Sequence, residues 1–156
     1  MFRKMRRNDK LRSVADTEAI LKACTNGVLS VNGDDGYPYG VPVSYVYADG
    51  KIYFHGAPAG QKFEAIRRNP KVSFTVVGAD NIDRKKVTTV YKSVICFGKA
   101  RIAETDEEKR EILTAIVEKY CHDEIPGGLE YMENVLDKTV AAVIDIDHMT
   151  GKGLAD

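Results

Sequence analysis

Between Tyr37 and Tyr47 the chain alternates with period two. Tyr37, Tyr39, Val41, Val43, Tyr45 and Tyr47 fall on one face, and Pro38, Gly40, Pro42 and Ser44 fall on the other. This is the pattern of a strand with one apolar side. Proline cannot donate to a ladder, so Pro42 predicts a sheet edge, a bulge, or a place where something other than a strand faces the backbone. Residues 28–31 predict a strand before it, ended by the turn Asn32-Gly33-Asp34-Asp35-Gly36. Residues 52–55 predict a strand after it, joined through Ala48-Asp49-Gly50-Lys51, whose Asp-Gly pair signals a hairpin. Residues 71–77, 88–103 and 139–146 predict the remaining strands, and the polar stretch 78–86 predicts a mobile loop.

Helical periodicity interrupts this series in a few places. Asp16 is a good N-cap for a first helix carrying Ile20, Leu21 and Cys24 on one stripe, with Asn26-Gly27 as its stop. A second helix runs from about Gly60 to the proline at 70. Thr105 and Glu108 form a capping box ahead of Ile112, Leu113, Ile116, Val117 and Tyr120, which share one helical face. Pro126-Gly127-Gly128 predicts a break before a shorter helix bearing Leu129, Met132, Val135 and Leu136. About six or seven strands, mostly joined by hairpins and with three or four helices inserted, predict a mainly β fold built on an antiparallel barrel. The 156 residues fit one domain, with residues 1–12 as a basic arm. That arm is either a solvated tail or a strap that wraps a partner subunit or meets an anionic ligand.

Composition narrows the function by exclusion. Lys plus Arg equals Asp plus Glu at 23 each, which gives no bulk attraction to nucleic acid or to a membrane. No apolar run approaches the ~20 residues of a membrane span, and the basic start has no apolar stretch after it to read as a secretory signal. Cys24, Cys96 and Cys121 are an odd number without CxxC spacing, as expected of reduced thiols in a cytoplasmic protein. Cys96 lies in an apolar run and is expected in the core. Cys121 and His122 lack a second pair at zinc spacing, so no metal site is expected. Neither a GxSxG elbow nor a GxGxxG fingerprint occurs. Asp145 and Asp147 alternate with Ile144 and Ile146 as the solvated side of a strand.

The stretch from Ile52 to Pro70 carries the chemistry. Gly56, Gly60, Gln61 and Lys62 place small residues, helix amides and one cation together, which is what a phosphate group requires. Gly56 and Gly60 have GxxxG spacing and Phe63 follows the lysine, so this is not a nucleotide P-loop. The residues alone leave two readings open: a phosphate seat, or a structural loop with a solvated lysine. His55 is equally open as a flavin or substrate contact, a haem ligand, or an ordinary strand-end histidine.

Four motifs occur in order: Tyr37-Pro38-Tyr39-Gly40-Val41-Pro42-Val43; Ile52-Tyr53-Phe54-His55-Gly56-Ala57 with Gly60-Gln61-Lys62; Tyr91-Lys92-Ser93-Val94; and His148-Met149-Thr150-Gly151-Lys152. This ordered set resembles the pyridoxamine 5′-phosphate oxidase-like flavoproteins, in the branch containing the nitroimidazole-resistance reductases. The resemblance extends from Arg6-Arg7 to Lys152. It implies a split β-barrel homodimer that holds FMN without a covalent bond in two clefts at the subunit interface. Val41, Pro42 and Val43 would run beside the isoalloxazine ring and meet it with backbone groups. Phe54 and His55 would lie near the ring and ribityl chain, and Lys62 with Gln61 and the helix amides would take the phosphate. Tyr91, Ser93 and Val94 would complete the cleft, partly across the dimer. The function implied is an FMN-dependent oxidoreductase passing electrons to a small nitro-bearing or similar acceptor, with His55 as the proton donor. Pyridoxamine phosphate oxidation itself is disfavoured, because the arginine set of that branch has no counterpart near the C-terminus. Two other readings stand beside it: a flavin carrier or redox sensor without turnover, and a haem protein using His55, His122 or His148.

Overall fold

Ser13, not Asp16, begins the first helix. The computed structural model describes residues 1–154. In it the Ser13 hydroxyl accepts from the Asp16 amide at 3.1 Å, and α1 runs Val14–Ala23. Serine and aspartate are equally good caps. What decides is that the Arg12 amide is tied to the Gly151 carbonyl, so the extended chain ends one residue later. Asn26-Gly27 does not stop this helix; it opens β1 (Asn26–Asn32). Gly27 is there for space, since a Cβ would overlap the Phe74 ring.

The remaining elements are β2 (Pro38–Ser44), β3 (Val46–Ala48), β4 (Lys51–Gly56), α2 (Gln61–Arg68), β5 (Lys71–Asp83), β6 (Thr88–Ile102), α3 (Asp106–Tyr120), α4 (Ile125–Asn134) and β7 (Val140–Gly153). All strand pairs are antiparallel, in the order β2-β1-β5-β6-β7-β4-β3. The two ends of this sheet, β2 and β3, are separated in the chain by Tyr45 alone. One residue cannot bridge the opposite edges of a flat seven-stranded sheet, so the sheet coils until the edges meet. The result is a split barrel: the antiparallel barrel that the strand pattern predicted, in the form that the family resemblance implied.

Tyr45 is therefore the seam, and its backbone groups belong to neither ladder. Tyr120, at the end of α3, accepts from the Tyr45 amide at 3.0 Å and approaches the Tyr45 and Thr25 carbonyls. The Lys119 ammonium donates to the Cys24 carbonyl and, at 3.0 Å, to the Tyr45 carbonyl. Burial lowers the Lys119 pKa, and carbonyls rather than carboxylates surround the charge. Tyr120→Phe would leave the buried seam amide without its acceptor, at a cost of about 1–3 kcal/mol. Chemical denaturation checks this; an unchanged midpoint would show that water replaces the hydroxyl.

The period-two pattern of β2 is borne out. Tyr39, Val41 and Val43 pack on the core, Tyr45 and Tyr47 are buried, and Pro38, Gly40, Pro42 and Ser44 face outward. Tyr37 alone departs, standing exposed before the strand. Pro42 lies on the edge strand, where its missing N–H is tolerated. The Asp49-Gly50 hairpin also forms, with both residues at positive φ. Cys96 is buried in the core, where desolvation pushes its thiol up to about 12.

Three further boundaries differ from expectation. Residues 78–83 continue β5, because β6 supplies a backbone ladder that polar side chains do not disturb; a bulge between Val77 and Ala79 marks the change. Pro126-Gly127-Gly128 lies inside the first turn of α4, where a missing N–H costs nothing, and the break falls at residues 121–124. A Cβ at Gly128 would stand 2.6 Å from Val117, so this glycine lets α4 close on α3. Strand β7 runs on to Gly153 instead of ending at Ile146, paired with β6 to Lys92. Gly151 there admits Thr17 of α1 at a distance no side chain would allow. That gives Thr150-Gly151-Lys152 a packing role.

Candidate functional site

The polypeptide loosens between β4 and α2. Gly60 sits at φ 141°, ψ 149°, a conformation that only glycine adopts readily, and it is the N-cap of α2. With no side chain it cannot cap the helix. Its carbonyl takes the Phe63 and Glu64 amides at 3.2 and 3.3 Å, leaving the Gln61 and Lys62 amides without an acceptor among the described residues. Two unpaired N–H groups and the positive end of the helix dipole therefore lie where the Lys62 ammonium begins.

The first turn of α2 is held tightly against the end of β4. A Cβ at Gly56 would meet Lys62 Nζ and the Phe63 ring, both at 3.1 Å. Phe63 is fully buried and stacks on Phe54, with ring centroids 6.0 Å apart. Lys62 Nζ lies 4.8 Å from the Phe63 centroid and makes no ion pair or hydrogen bond with any described residue. The helix is also tied to the β1–β2 turn. Arg68 bonds Asp34 at 2.7 Å, and Gln61 Nε2 lies 3.5 Å from the point a Gly33 Cβ would occupy.

His55 stands beside this lysine near the end of β4, half-buried and opposite Ala141 of β7. Burial, and after it the Lys62 charge, hold its pKa below the usual 6.5. An unfolded histidine then takes up a proton at a higher pH than the folded one. The ligand-free protein should therefore lose stability as pH falls from about 6.5 toward 5, and His55→Gln should lose less. Thermal unfolding across that range checks it; equal slopes for the two proteins would show that other groups govern the acid limb.

Not every predicted site residue joins this cluster. Val41, Pro42 and Val43 lie on edge strand β2, which meets β4 where the barrel closes. Phe54 and Val94 are fully buried, so their side chains serve the core and offer no surface to a ligand. Phe54 acts indirectly, as the ring on which α2 rests. Tyr91, Ser93 and Val94 lie far from Lys62. His55 pairs with Ala141 on β7, whereas Val94 and Ser93 pair with Gly151 and Lys152. Ten residues of strand separate Ala141 from Gly151, roughly 30 Å of contour at about 3.3 Å per residue. Tyr91 instead contacts Lys152, whose ammonium lies 5.4 Å from its ring. His122 is exposed beside Asp123, and His148 stacks on Phe2 of the N-terminal arm at 4.8 Å. Among the described residues no three His, Cys, Asp or Glu side chains gather as metal ligands.

Residues 13–153 match the family model described as pyridoxamine 5′-phosphate oxidase. The chain belongs to this family. Solved structures place it in the same group of folds. A candidate 5-nitroimidazole antibiotic resistance protein from Bacteroides thetaiotaomicron superposes with a TM-score of 0.78 at 25% identity, covering 91% of this chain and 85% of that one. An FAD-binding protein from Mesorhizobium loti gives 0.67 at 26% identity, covering 94% and 98%. A flavocytochrome from Azotobacter vinelandii gives 0.81 at 22% identity, covering 98% and 73%, and supports the fold alone. No curated protein matches the chain.

Sequence reasoning passed over the seam residues Lys119 and Tyr120, which hold the chain just beyond Val41-Pro42-Val43. Tyr120 reads in sequence as one more apolar position on a helical face. Nothing local announces that its hydroxyl serves Tyr45, 75 positions away. Among the described residues no helix is long and apolar enough to cross a membrane.

Proposed function

We propose that the protein is an FMN-dependent oxidoreductase, similar in action to nitroimidazole reductases, working as a homodimer on a small acceptor. The observation that carries this reading is the meeting of an unpaired Lys62 ammonium with two free α2 amides beside His55. That donor set fits a phosphate dianion, and the Gly56 gap leaves no side chain in the way. Lys62, Gln61 and the helix amides would hold the phosphate, and the exposed edge of Val41-Pro42-Val43 would flank the ring. Bound flavin would supply electron transfer between a reduced nicotinamide donor and the acceptor. His55 would donate a proton to the reduced acceptor; burial and then the Lys62 charge hold its pKa down, and a phosphate beside Lys62 would offset the second of these.

The homodimer rests on two observations. The outer face of β1, β5 and β6 exposes Val28, Val77, Ile95 and Phe97, more apolar surface than a free sheet face usually shows water. Val28, Thr75, Ile95 and Thr150 form one row across it. The long separation of Tyr91 and Ser93 from Lys62 also means that the two halves of a cleft would have to come from different subunits. Ile95→Asp should then give a monomer by light scattering and release flavin together. A dimer that persists, or a monomer that keeps its flavin, would overturn this arrangement.

The test of the function is spectroscopic. Purified protein should be yellow or take up added FMN, and its flavin should be bleached by NADH or NADPH and recoloured by a nitroimidazole. Colourless protein that binds no added flavin would overturn the proposal. A flavin that binds but never turns over would favour a carrier or sensor. The Mesorhizobium loti relative favours FAD as the second reading of the cofactor. Mass analysis of the released flavin separates FMN from FAD.

A further inference from the structure

Strands β5 and β6 run on past the barrel as a two-stranded ribbon. Lys92 still pairs with Gly153 of β7, and the Tyr91 carbonyl takes the Leu154 amide. Beyond them Asn81 pairs with Val90, Ile82 with Thr89 and Asp83 with Thr88, with no third strand beside them among the described residues. Such a ribbon is marginal in water by itself. This one also exposes apolar side chains, Ile82 at 75% and Val87 at 89%. Val87 stands at φ 48°, a left-handed conformation that strains a β-branched residue. The tip is basic. Lys86 pairs with Asp83, whereas the exposed Arg84 and Lys85 side chains have no ionic partner among the described residues.

The ribbon continues the apolar face of the sheet. Counting by two along β6 from Phe97 through Ile95, Ser93 and Tyr91 reaches Thr89, whose partner is Ile82. Ile82 therefore looks to the same side as Val28, Val77 and Ile95.

The proposed cleft fixes how a second copy would lie on that face. Tyr91 of one subunit approaches Lys62 of the other only if the two copies run antiparallel, about a two-fold axis that crosses the strands. Val28 and Ile95 share the central row. From this row to Thr89 is six residues of β6, about 20 Å. In the opposite direction, four residues of β1 and then the β1–β2 turn reach Asp35 and Tyr37, roughly 15–20 Å away. A two-fold through the row thus brings the turn of one copy level with the ribbon of the other. That turn offers the complementary surface. Tyr37 is 76% exposed, and Asp35 is exposed without an ionic partner among the described residues, its neighbour Asp34 being held by Arg68.

We infer that the ribbon of one subunit clasps the β1–β2 turn of the other. Ile82 and Val87 would pack on the partner's Tyr37, and Arg84 and Lys85 would pair with the partner's Asp35. Because Asp34 bonds Arg68 at 2.7 Å, the clasp would also steady the partner's α2. This rests on the homodimer proposed above, and the experiment keeps the two apart.

Disulfide trapping in the full-length chain tests the contact, with Cys121→Ser removing the exposed native thiol. Tyr37→Cys with Ile82→Cys should give a covalent dimer on mild oxidation, and either substitution alone should give roughly a tenth as much or less. Within one chain the two positions lie at opposite ends of the sheet, so a bond between them joins two copies. Independently, Arg84→Glu with Lys85→Glu should raise the dimer dissociation constant at least tenfold at low salt and by less at high salt. A protein that light scattering shows to be dimeric but that yields no covalent dimer would overturn the clasp and leave the homodimer standing. Equal trapping in the single variants, or an unchanged dissociation constant in the charge variant, would also overturn the clasp. A monomeric wild type would remove homodimer and clasp together.

Discussion

Lys62→Ala is expected to weaken FMN binding about tenfold or more at low salt, with the unfolding midpoint almost unchanged. A charge-assisted contact is worth about 1.5–3 kcal/mol, which corresponds to roughly ten- to a hundredfold in affinity. Lys62 is half-buried, so solvent and salt screen part of its charge and the lower end applies. The lysine has no other ionic partner to lose among the described residues, and stability has little reason to change. Lys62→Arg should recover part of the affinity, because the charge returns while its position relative to the α2 amides does not. Fluorescence titration at two salt concentrations provides the measurement. Equal affinity for wild type and Lys62→Ala would remove the phosphate from this helix terminus.

Phe63→Ala is expected to lower both stability and flavin affinity. Phe63 has no exposed surface and stacks on the equally buried Phe54, at 6.0 Å. Truncating a buried phenylalanine costs about 3–5 kcal/mol, through lost burial and through the cavity left behind. Phe63 is also on the first turn of α2, so its loss frees the amides that Gly60 leaves unpaired. Phe63→Leu should recover most of the stability, since it keeps much of the volume. Denaturant unfolding and flavin titration on the same samples distinguish the two variants. Lys62→Ala should lose affinity alone, whereas Phe63→Ala should lose both. An affinity unaffected by Phe63→Ala would mean that the helix terminus does not need its packing to bind.

Much of this was legible because it depends on local rules. Period two across β2 told inward from outward residues, and the single misplacement, Tyr37, lies before the strand begins. The Asp49-Gly50 turn was readable because its positive φ values demand such residues. Thr105 caps α3 as expected, its hydroxyl accepting from Glu108 at 3.1 Å. The errors arose where a distant partner overrode a local signal. Residues 78–83 and 147–153 look like loops on composition, yet both are strand because β6 offers them a ladder. Asn26-Gly27 looks like a helix stop, yet Gly27 is needed for the Phe74 ring.

The sequence by itself determined where most strands lie, the grouping of Gly56, Gly60, Gln61 and Lys62, and that Pro42 stands where a ladder donor is not needed. Each follows from the side-chain period or from backbone freedom, which neighbouring residues set among themselves. Only the tertiary structure decided that Tyr45 is the barrel seam, that Phe54 and Val94 face inward, and that Tyr91 and Ser93 lie a long strand away from Lys62. Those facts depend on pairing register, and register is fixed by contacts between residues tens of positions apart. The same holds for Arg12: its amide and its Nη1 donate to the Gly151 and Leu154 carbonyls, which come from the far end of the chain.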